Sequence, residues 1–242
     1  MGKNLLFLPE CHSTNSYLQE LSRTQTLPDG TLVITHHQTA GRGQRNNVWI
    51  TEPGKNLTFS LLLQPGFLAP ASQFQLSQAV ALAVKDALAG FSQKSVAIKW
   101  PNDVLLNGKK VGGILIENQL AGNRLERSVI GIGLNVNQTM FDLPHATSLA
   151  IQEQAEFDLD TLLDRLCHAI EVRYLQLKRG ASSLLQQDYV GALFGRGERL
   201  HFESTYGSFE GTIAGVEESG RLLVNTGEQV RAFDLKEIRY AY

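Results

Sequence analysis

The sequence predicts an α+β fold, a mixed β-sheet packed with helices, followed by a small all-β unit. Three observations carry this. Helical apolar spacing alternates with β-branched runs in the order helix, strands, helix, strands, which is not the rhythm of repeated βαβ units. An Asn-Gly pair, Asn107-Gly108, joins two strand-like runs, a favoured pair for the type I′ hairpin turn. After about residue 190 the texture changes to short strands with glycine at the turns, the pattern of a small barrel or sandwich.

Taken in order, "STNSYLQEL" opens the first helix, with Ser13 or Thr14 as its cap and Tyr17, Leu18 and Leu21 as its apolar stripe. "TLVITHH" and "LTFSLLL" are strands by their β-branched and apolar content. "ASQFQLSQAVALAVKDALAGF" is the second helix: Leu76, Val80, Ala83, Val84 and Leu88 recur at three- and four-residue spacing, and Gly90 is its stop. "SVAIKW" is a strand that ends at Pro101, because the residue before a proline is pushed toward extended geometry. "VLL" and "KKVGGILIE" form the hairpin about Asn107-Gly108, "LAGNR" is a looser turn, and "SVIGIGLNVN" is the returning strand. "DLDTLLDRLCHAIEVRYLQLKRG" is the third helix, acidic at its start, closed by Lys178 and Arg179 and ended by Gly180, as the helix dipole prefers. A boundary near Gly191–Gly195 divides the chain into residues 1–192 and 193–242.

Composition narrows the function classes. The chain has 242 residues, 43% hydrophobic and 19% charged, the profile of a globular protein with a sizeable core. A formal net charge of −2 gives no global field for long nucleic acid, although local basic clusters can hold a small anion. Two cysteines, Cys11 and Cys167, lie far apart without metal-ligand spacing, which suggests free thiols in a reducing compartment. The apolar stretch near Met1 is too short for a signal peptide, Leu6 breaks a myristoylation motif, and there is no run of 18 apolar residues, so the expected location is the cytoplasm, with no membrane partner.

Three segments carry chemistry. In "TAGRGQRNNVWIT", Gly41 and Gly43 let the backbone approach a ligand, while Arg42 and Arg45 supply forked donors for carboxylate or phosphate. A lone Gly-Arg-Gly is equally well a surface loop with solvated arginines; it is neither a Walker loop nor a Rossmann triplet. In "KWPNDVLLNGKKVGGILIE", Lys99, Asn102 and Asp103 sit at a strand end where side chains can enter a cleft. Lys110 follows the turn, and Gly112-Gly113 mark a bulge or a close approach. By itself this segment reads better as an exposed lysine beside a core tryptophan. In "GIGLNVN", Gly131 and Gly133 leave one strand face bare, with Asn135 and Asn137 at the same parity; a flat ligand or plain sheet packing both fit.

As a set, "STN", "QTAGRGQR", "KWPNDV", "GKKVGGILIE" and "GIGLNVN" resemble, in this order and at these separations, the catalytic domain of the biotin protein ligases over about residues 5 to 140. The final fifty or so residues are similar, more weakly, to that family's small SH3-like β-barrel. The resemblance implies an enzyme that activates biotin with ATP and Mg²⁺ to biotinyl-AMP, then transfers biotin to one lysine of a biotin carboxyl carrier protein. It implies biotin contacts from Ser13, Thr14, Asn15, Gln38, Gly113, Gly131 and Gly133. Nucleotide contacts fall to Arg42, Gly43, Gln44, Arg45, Trp49, Asn102, Lys110 and Asn135, and catalytic roles to Lys110, Arg42 and Asp103.

Two departures stand out. Gln44, Asn46 and Asn47 replace an Arg, a Gly and an Arg common in members that double as repressors, so the phosphate grip rests on Arg42, Arg45 and Lys110. The match begins almost at Met1, so a DNA-binding role is not expected. A homodimer through an exposed sheet fits the resemblance. The rival readings are a lipoate or octanoate ligase of the same fold and a non-catalytic biotin- or nucleotide-binding regulator.

Overall fold

A computed structural model describes residues 1–44 and 47–241. The larger sheet is built from β1 (Leu5–Cys11), β2 (Leu32–Gln38), β3 (Leu57–Leu63), β4 (Val96–Lys99), β5 (Asp103–Leu106), β6 (Lys109–Ala121) and β7 (Arg124–Leu134). Its strand order is β1-β2-β3-β7-β6-β5-β4. It is mixed, as predicted: β1 runs parallel to β2 and every other pair is antiparallel. The sequence reading did not assign β1, whose Pro9 is tolerated because the strand lies at the sheet edge.

The three predicted helices form as α1 (Thr14–Thr24), α2 (Phe74–Leu88) and α4 (Leu159–Lys178); α3 (Leu149–Glu153) and α5 (Ser182–Gly191) are additions. Ser13 occupies the N-cap of α1, but its side chain makes no capping bond. At α4 the Asp158 carboxylate accepts from the Thr161 N–H, and the Thr161 hydroxyl together with that N–H holds its pKa below the usual value. The hairpin turn is as expected, with Asn107 at φ 52° and Gly108 at φ 77°, both in the left-handed region a type I′ turn requires.

Strand alternation gives the sheet two faces with different duties. On one face Phe59, Leu61, Ile114, Ile130 and Ile132 bury against α2 and α4, whose Leu76, Val80, Leu162 and Leu166 belong to the same core. On the other, Val33, Leu62 and Val129 bury against Leu18 of α1. α1 covers only part of that second face, and the uncovered part is where the cleft lies.

The C-terminal strands are β8 (Arg199–Ser204), β9 (Gly207–Val216), β10 (Leu222–Asn225), β11 (Val230–Phe233) and β12 (Ile238–Tyr240), in the order β11-β10-β9-β8-β12. All pairs are antiparallel. This five-stranded sheet is consistent with an SH3-like unit. The expected barrel is not closed, because the terminal strands β11 and β12 are not paired with each other among the described residues. Both are short, four and three residues, which limits how far they can reach around.

The small sheet shares one continuous core with the rest, through Leu193, Phe202, Val216 and Ile238. The segment that spans residues 192–194 bonds directly to β4: the Ile98 N–H donates to Ala192 O and the Phe194 N–H to Ile98 O, each at 2.8 Å. Trp100 is core, as expected, and its indole N–H donates to Gly220 O at 2.9 Å. Gly220 sits at φ +96°, and a Cβ there would lie 2.7 Å from the Phe74 ring, so only glycine fits this joint. No helix among the described residues is long and apolar enough to cross a membrane.

Candidate active-site cleft

The cleft floor follows from sheet register. Asp103 pairs with Gly113, Gly113 with Gly133, and Gly133 with Thr58, a row that crosses β5, β6, β7 and β3. One step along the strands, Leu115 pairs with Gly131 and Gly131 with Ser60. Paired residues share a face, so the three glycines, Asp103, Thr58 and Ser60 all face the α1 side.

Lys110 reaches this face because of a bulge. Val104 pairs with Gly112 but Leu105 with Lys110, so Val111 is the extra residue. One inserted residue inverts parity and carries Lys110 to the face of Asp103 and Gly113. Its Nζ lies 2.6 Å from Asp103 Oδ1. The glycine pair thus marks both a bulge and a close approach, since a Cβ on Gly112 would lie 2.9 Å from Gly133 O.

The cleft encloses about 250 Å³. Of the residues expected to act together, it brings together Ser13, Thr14, Asn15, Gln38, Arg42, Gly43, Gln44, Trp49, Asn102, Asp103, Lys110, Gly113, Gly131 and Gly133. Arg42 from the loop and Lys110 from the hairpin therefore share one cavity. Arg45 falls outside the described residues. Asn135 is not brought to the cleft: β7 ends at Leu134, and the buried Asn135 amide donates to Thr147 O at 3.0 Å.

The glycine face is not bare, as the alternating glycines suggested. Asn15 fills the space over Gly131, where a Cβ would lie 2.3 Å from its Oδ1. The Trp49 ring lies over Gly133, where a Cβ would come within 2.2 Å of it, and it reaches Gly113 at 3.6 Å. The Lys110 ammonium stands 5.9 Å from the Trp49 ring centroid. The buried Trp49 Nε1–H has no hydrogen-bond partner among the described residues, and such an orphan donor is costly unless something accepts from it.

At the α1 end the polar side chains form a linked set. Gln38 Oε1 accepts from the Thr14 N–H at 2.8 Å. Ser60 bonds Asn15 Oδ1 at 2.6 Å and the Thr14 hydroxyl at 2.7 Å. Asn15 Nδ2 donates to Glu117 Oε2 at 2.8 Å, and Arg42 donates to that same oxygen, also at 2.8 Å. The loop doubles back on itself, with the Gly43 N–H on Asn47 O at 2.7 Å and the Trp49 N–H on Gly41 O at 3.0 Å. Gly41 has no room for a side chain, because its Cβ would lie 2.2 Å from Trp49 O.

The far wall is C-terminal. Ile238, Arg239 and Tyr240 line the cleft, and Lys99 Nζ stands 5.0 Å above the Tyr240 ring. Asn102, which also lines the cleft, is fixed by reciprocal bonds with Ile114 at 2.8 and 3.0 Å.

Sequence reasoning missed Ser60, Glu117, Arg239 and Tyr240. Ser60 had a signal: it is one of two hydroxyl residues, with Thr58, in an otherwise apolar strand of which every residue is buried. Glu117 closes the quoted "GGILIE" stretch. The C-terminal pair carries no local signal and depends on how the small sheet docks. Both cysteines are free, burial pushes both thiols up, and neither lines the cleft, so a thiolate nucleophile has no place here.

Residues 8–135 match the model of the biotin/lipoate A/B protein ligase family. The chain is 32% identical over 236 residues to the bifunctional ligase/repressor BirA of Bacillus subtilis, an alignment that covers 96% of this chain and 72% of that one. It is also 32% identical over 239 residues to the biotin–[acetyl-CoA-carboxylase] ligase of Paracoccus denitrificans, with 92% and 95% covered. Among solved structures, the biotin protein ligase of Aquifex aeolicus in complex with biotin and ATP superimposes with a TM-score of 0.82 at 28% identity, covering 99% of this chain and all of that one.

Proposed function

The chain belongs to the biotin/lipoate A/B protein ligase family, and from that premise we propose that it is an ATP-dependent biotin protein ligase. It activates biotin as biotinyl-5′-AMP and passes the biotinyl group to one lysine of a biotin carboxyl carrier protein. The observation that carries this reading is the cleft itself: two cations from separate segments, Arg42 and Lys110, share a glycine-floored cavity with a linked polar cluster.

The chemistry explains the residue types. A carboxylate acylates poorly because its leaving group would be oxide. Its oxygen attacks the α-phosphorus of ATP, the bond to pyrophosphate breaks, and a mixed anhydride forms. Two anions must meet, so fixed cations are needed where charge gathers. Lys110 and Arg42 take that role, joined by Arg45. Lys110 rests on the Asp103 carboxylate and Arg42 on that of Glu117. The Lys110–Asp103 pair is partly exposed and contributes little to stability, so a substrate anion can exchange for Asp103, while Arg42 stays on Glu117 and meets the phosphate with its remaining N–H donors.

At the other end, Ser13, Thr14, Asn15 and Gln38 offer donors and acceptors suited to the ureido ring of biotin, with two N–H groups and one carbonyl. This polar cluster favours biotin over the alkyl chain of a lipoate or octanoate ligase's substrate. The orphan Trp49 N–H offers a further donor for a ligand oxygen. Lys99, Arg239 and Tyr240 also line the cleft and suit the nucleotide, so residues 193–242 share in ATP binding on this reading.

In the second step the acceptor lysine amine attacks the acyl carbon and AMP leaves. On this reading Asp103, released from Lys110, takes the amine's proton. During adenylation Asp103, a carboxylate that lines the cleft, would help hold a Mg²⁺ carried on the nucleotide phosphates, a role that ends when pyrophosphate leaves. Bound there, Mg²⁺ would neutralise phosphate charge.

The test is transfer. The protein, biotin, ATP and Mg²⁺ are incubated with a biotin carboxyl carrier domain. Biotin is expected on its target lysine and absent when that lysine is replaced. Tight binding of biotin and ATP with no transfer would favour the regulator reading.

A further inference from the structure

We propose that Glu117 is a positioning residue that ties the glycine-arginine loop to the polar end of the cleft. The inference rests on the biotin ligase reading above. One carboxylate oxygen, Glu117 Oε2, accepts from both Asn15 Nδ2 and Arg42, each at 2.8 Å. The two donors belong to separate parts of the site. Asn15 lies on α1, is 3% exposed, is bonded at its other end by Ser60 and packs directly onto Gly131 of the sheet floor. Arg42 lies on the loop, and its side chain is 43% exposed.

Glu117 reaches both because it follows Gly113 and Leu115 at alternate positions of β6, on the cleft face. Its charge has no other use in the site. It does not line the cavity, and Arg42 is its sole ion-pair partner among the described residues. A neutral glutamine would serve Asn15 equally well, since an amide oxygen also accepts; only the guanidinium requires the carboxylate. The acid therefore couples the two ends: it fixes the amide that meets the biotin head group and tethers the cation that meets the phosphate.

Two variants separate these duties. Glu117→Gln keeps the bond to Asn15 and weakens the tether, so biotin affinity stays within about threefold, whereas trypsin cleaves after Arg42 about threefold faster or more in the unliganded protein. Glu117→Ala removes both bonds, speeds that cleavage as well, and weakens biotin binding about tenfold or more. Appearance of the 1–42 fragment, followed by mass spectrometry, reads the tether without any ligand.

A kinetic cycle asks whether Glu117 acts through Arg42. Glu117→Gln should lower the adenylation rate in the wild-type background and leave it unchanged in an Arg42→Gln background. Equal cleavage rates for wild type and Glu117→Gln, or the same loss of rate in both backgrounds, would overturn the proposal. A wild-type protein that binds no biotin would instead overturn the ligase reading, and the cleavage experiment would still judge the tether.

Discussion

The Lys110 ammonium lies 2.6 Å from the Asp103 carboxylate, and the two meet only because Val111 is bulged out between β5 and β6. Without that extra residue Lys110 would point into the core between the sheet and α2. A one-residue irregularity thus delivers the cation to the cleft.

Lys110→Ala should leave the fold intact and lower adenylation by about 10²–10³, the usual loss when one transition-state charge contact is removed. ATP–pyrophosphate exchange in the presence of biotin measures this. An unchanged exchange rate would refute the role assigned to Lys110.

Ser60 is wholly buried and supplies the donor for Asn15 Oδ1. Ser60→Ala leaves that oxygen unpaired at a cost of about 1–3 kcal/mol. For a chain of this size the melting midpoint should fall by roughly 2–4 °C per kcal/mol, with weaker biotin binding. Thermal denaturation together with biotin titration reports both; a variant unaffected in either would show that the buried network does not orient Asn15.

Tyr240 and Lys99 form the C-terminal side of the cleft. Deleting the small sheet would expose the shared core, so a point change is the cleaner probe of its function. Tyr240→Ala should raise the KM for ATP roughly fivefold or more, the scale of one lost base–aromatic contact, and leave the KM for biotin near its original value. Initial-rate kinetics with each substrate varied in turn separates the two.

Tyr189 is fully buried, its hydroxyl has no hydrogen-bond partner among the described residues, and burial raises its pKa far above the ordinary value. The folded state therefore holds this proton more tightly than the unfolded state does. The stability this gives is complete below the unfolded pKa of about 10 and is lost as pH climbs from there toward the folded value. Tyr189→Phe should be neutral or stabilising at pH 7 and should flatten the alkaline fall. Urea titrations at pH 7 and above pH 10 provide the comparison; an equally steep fall in the variant would assign it to other groups.

Much of this was legible from local pattern. The Asn107-Gly108 turn, the three long helices and the strands that flank the loop all arise from short-range periodicity and turn chemistry. Features set by tertiary context were not. β1 is a short, proline-containing edge strand without β-branched residues, and its pairing with β2 is set by tertiary context. Asn135 keeps the parity of Gly133 on paper, but β7 stops one residue earlier and its amide turns to Thr147. Gly131 and Gly133 suggest a bare strand face, but Asn15 and Trp49, which come from elsewhere in the chain, fill it. Ser60 and Glu117 gain their meaning only once α1 and the loop are seated over the sheet.

The central claim is that Arg42 and Lys110 bring the carboxylate of biotin onto the α-phosphorus of ATP. The most direct measurement incubates the protein with ATP, Mg²⁺ and an equimolar mixture of biotin, lipoate and octanoate, without any carrier protein, and identifies the adenylate by mass spectrometry. Biotinyl-AMP should be the dominant acyl adenylate, strongly reduced in Arg42→Gln and Lys110→Ala. Lipoyl- or octanoyl-AMP as the main product, or no adenylate at all, would contradict that claim.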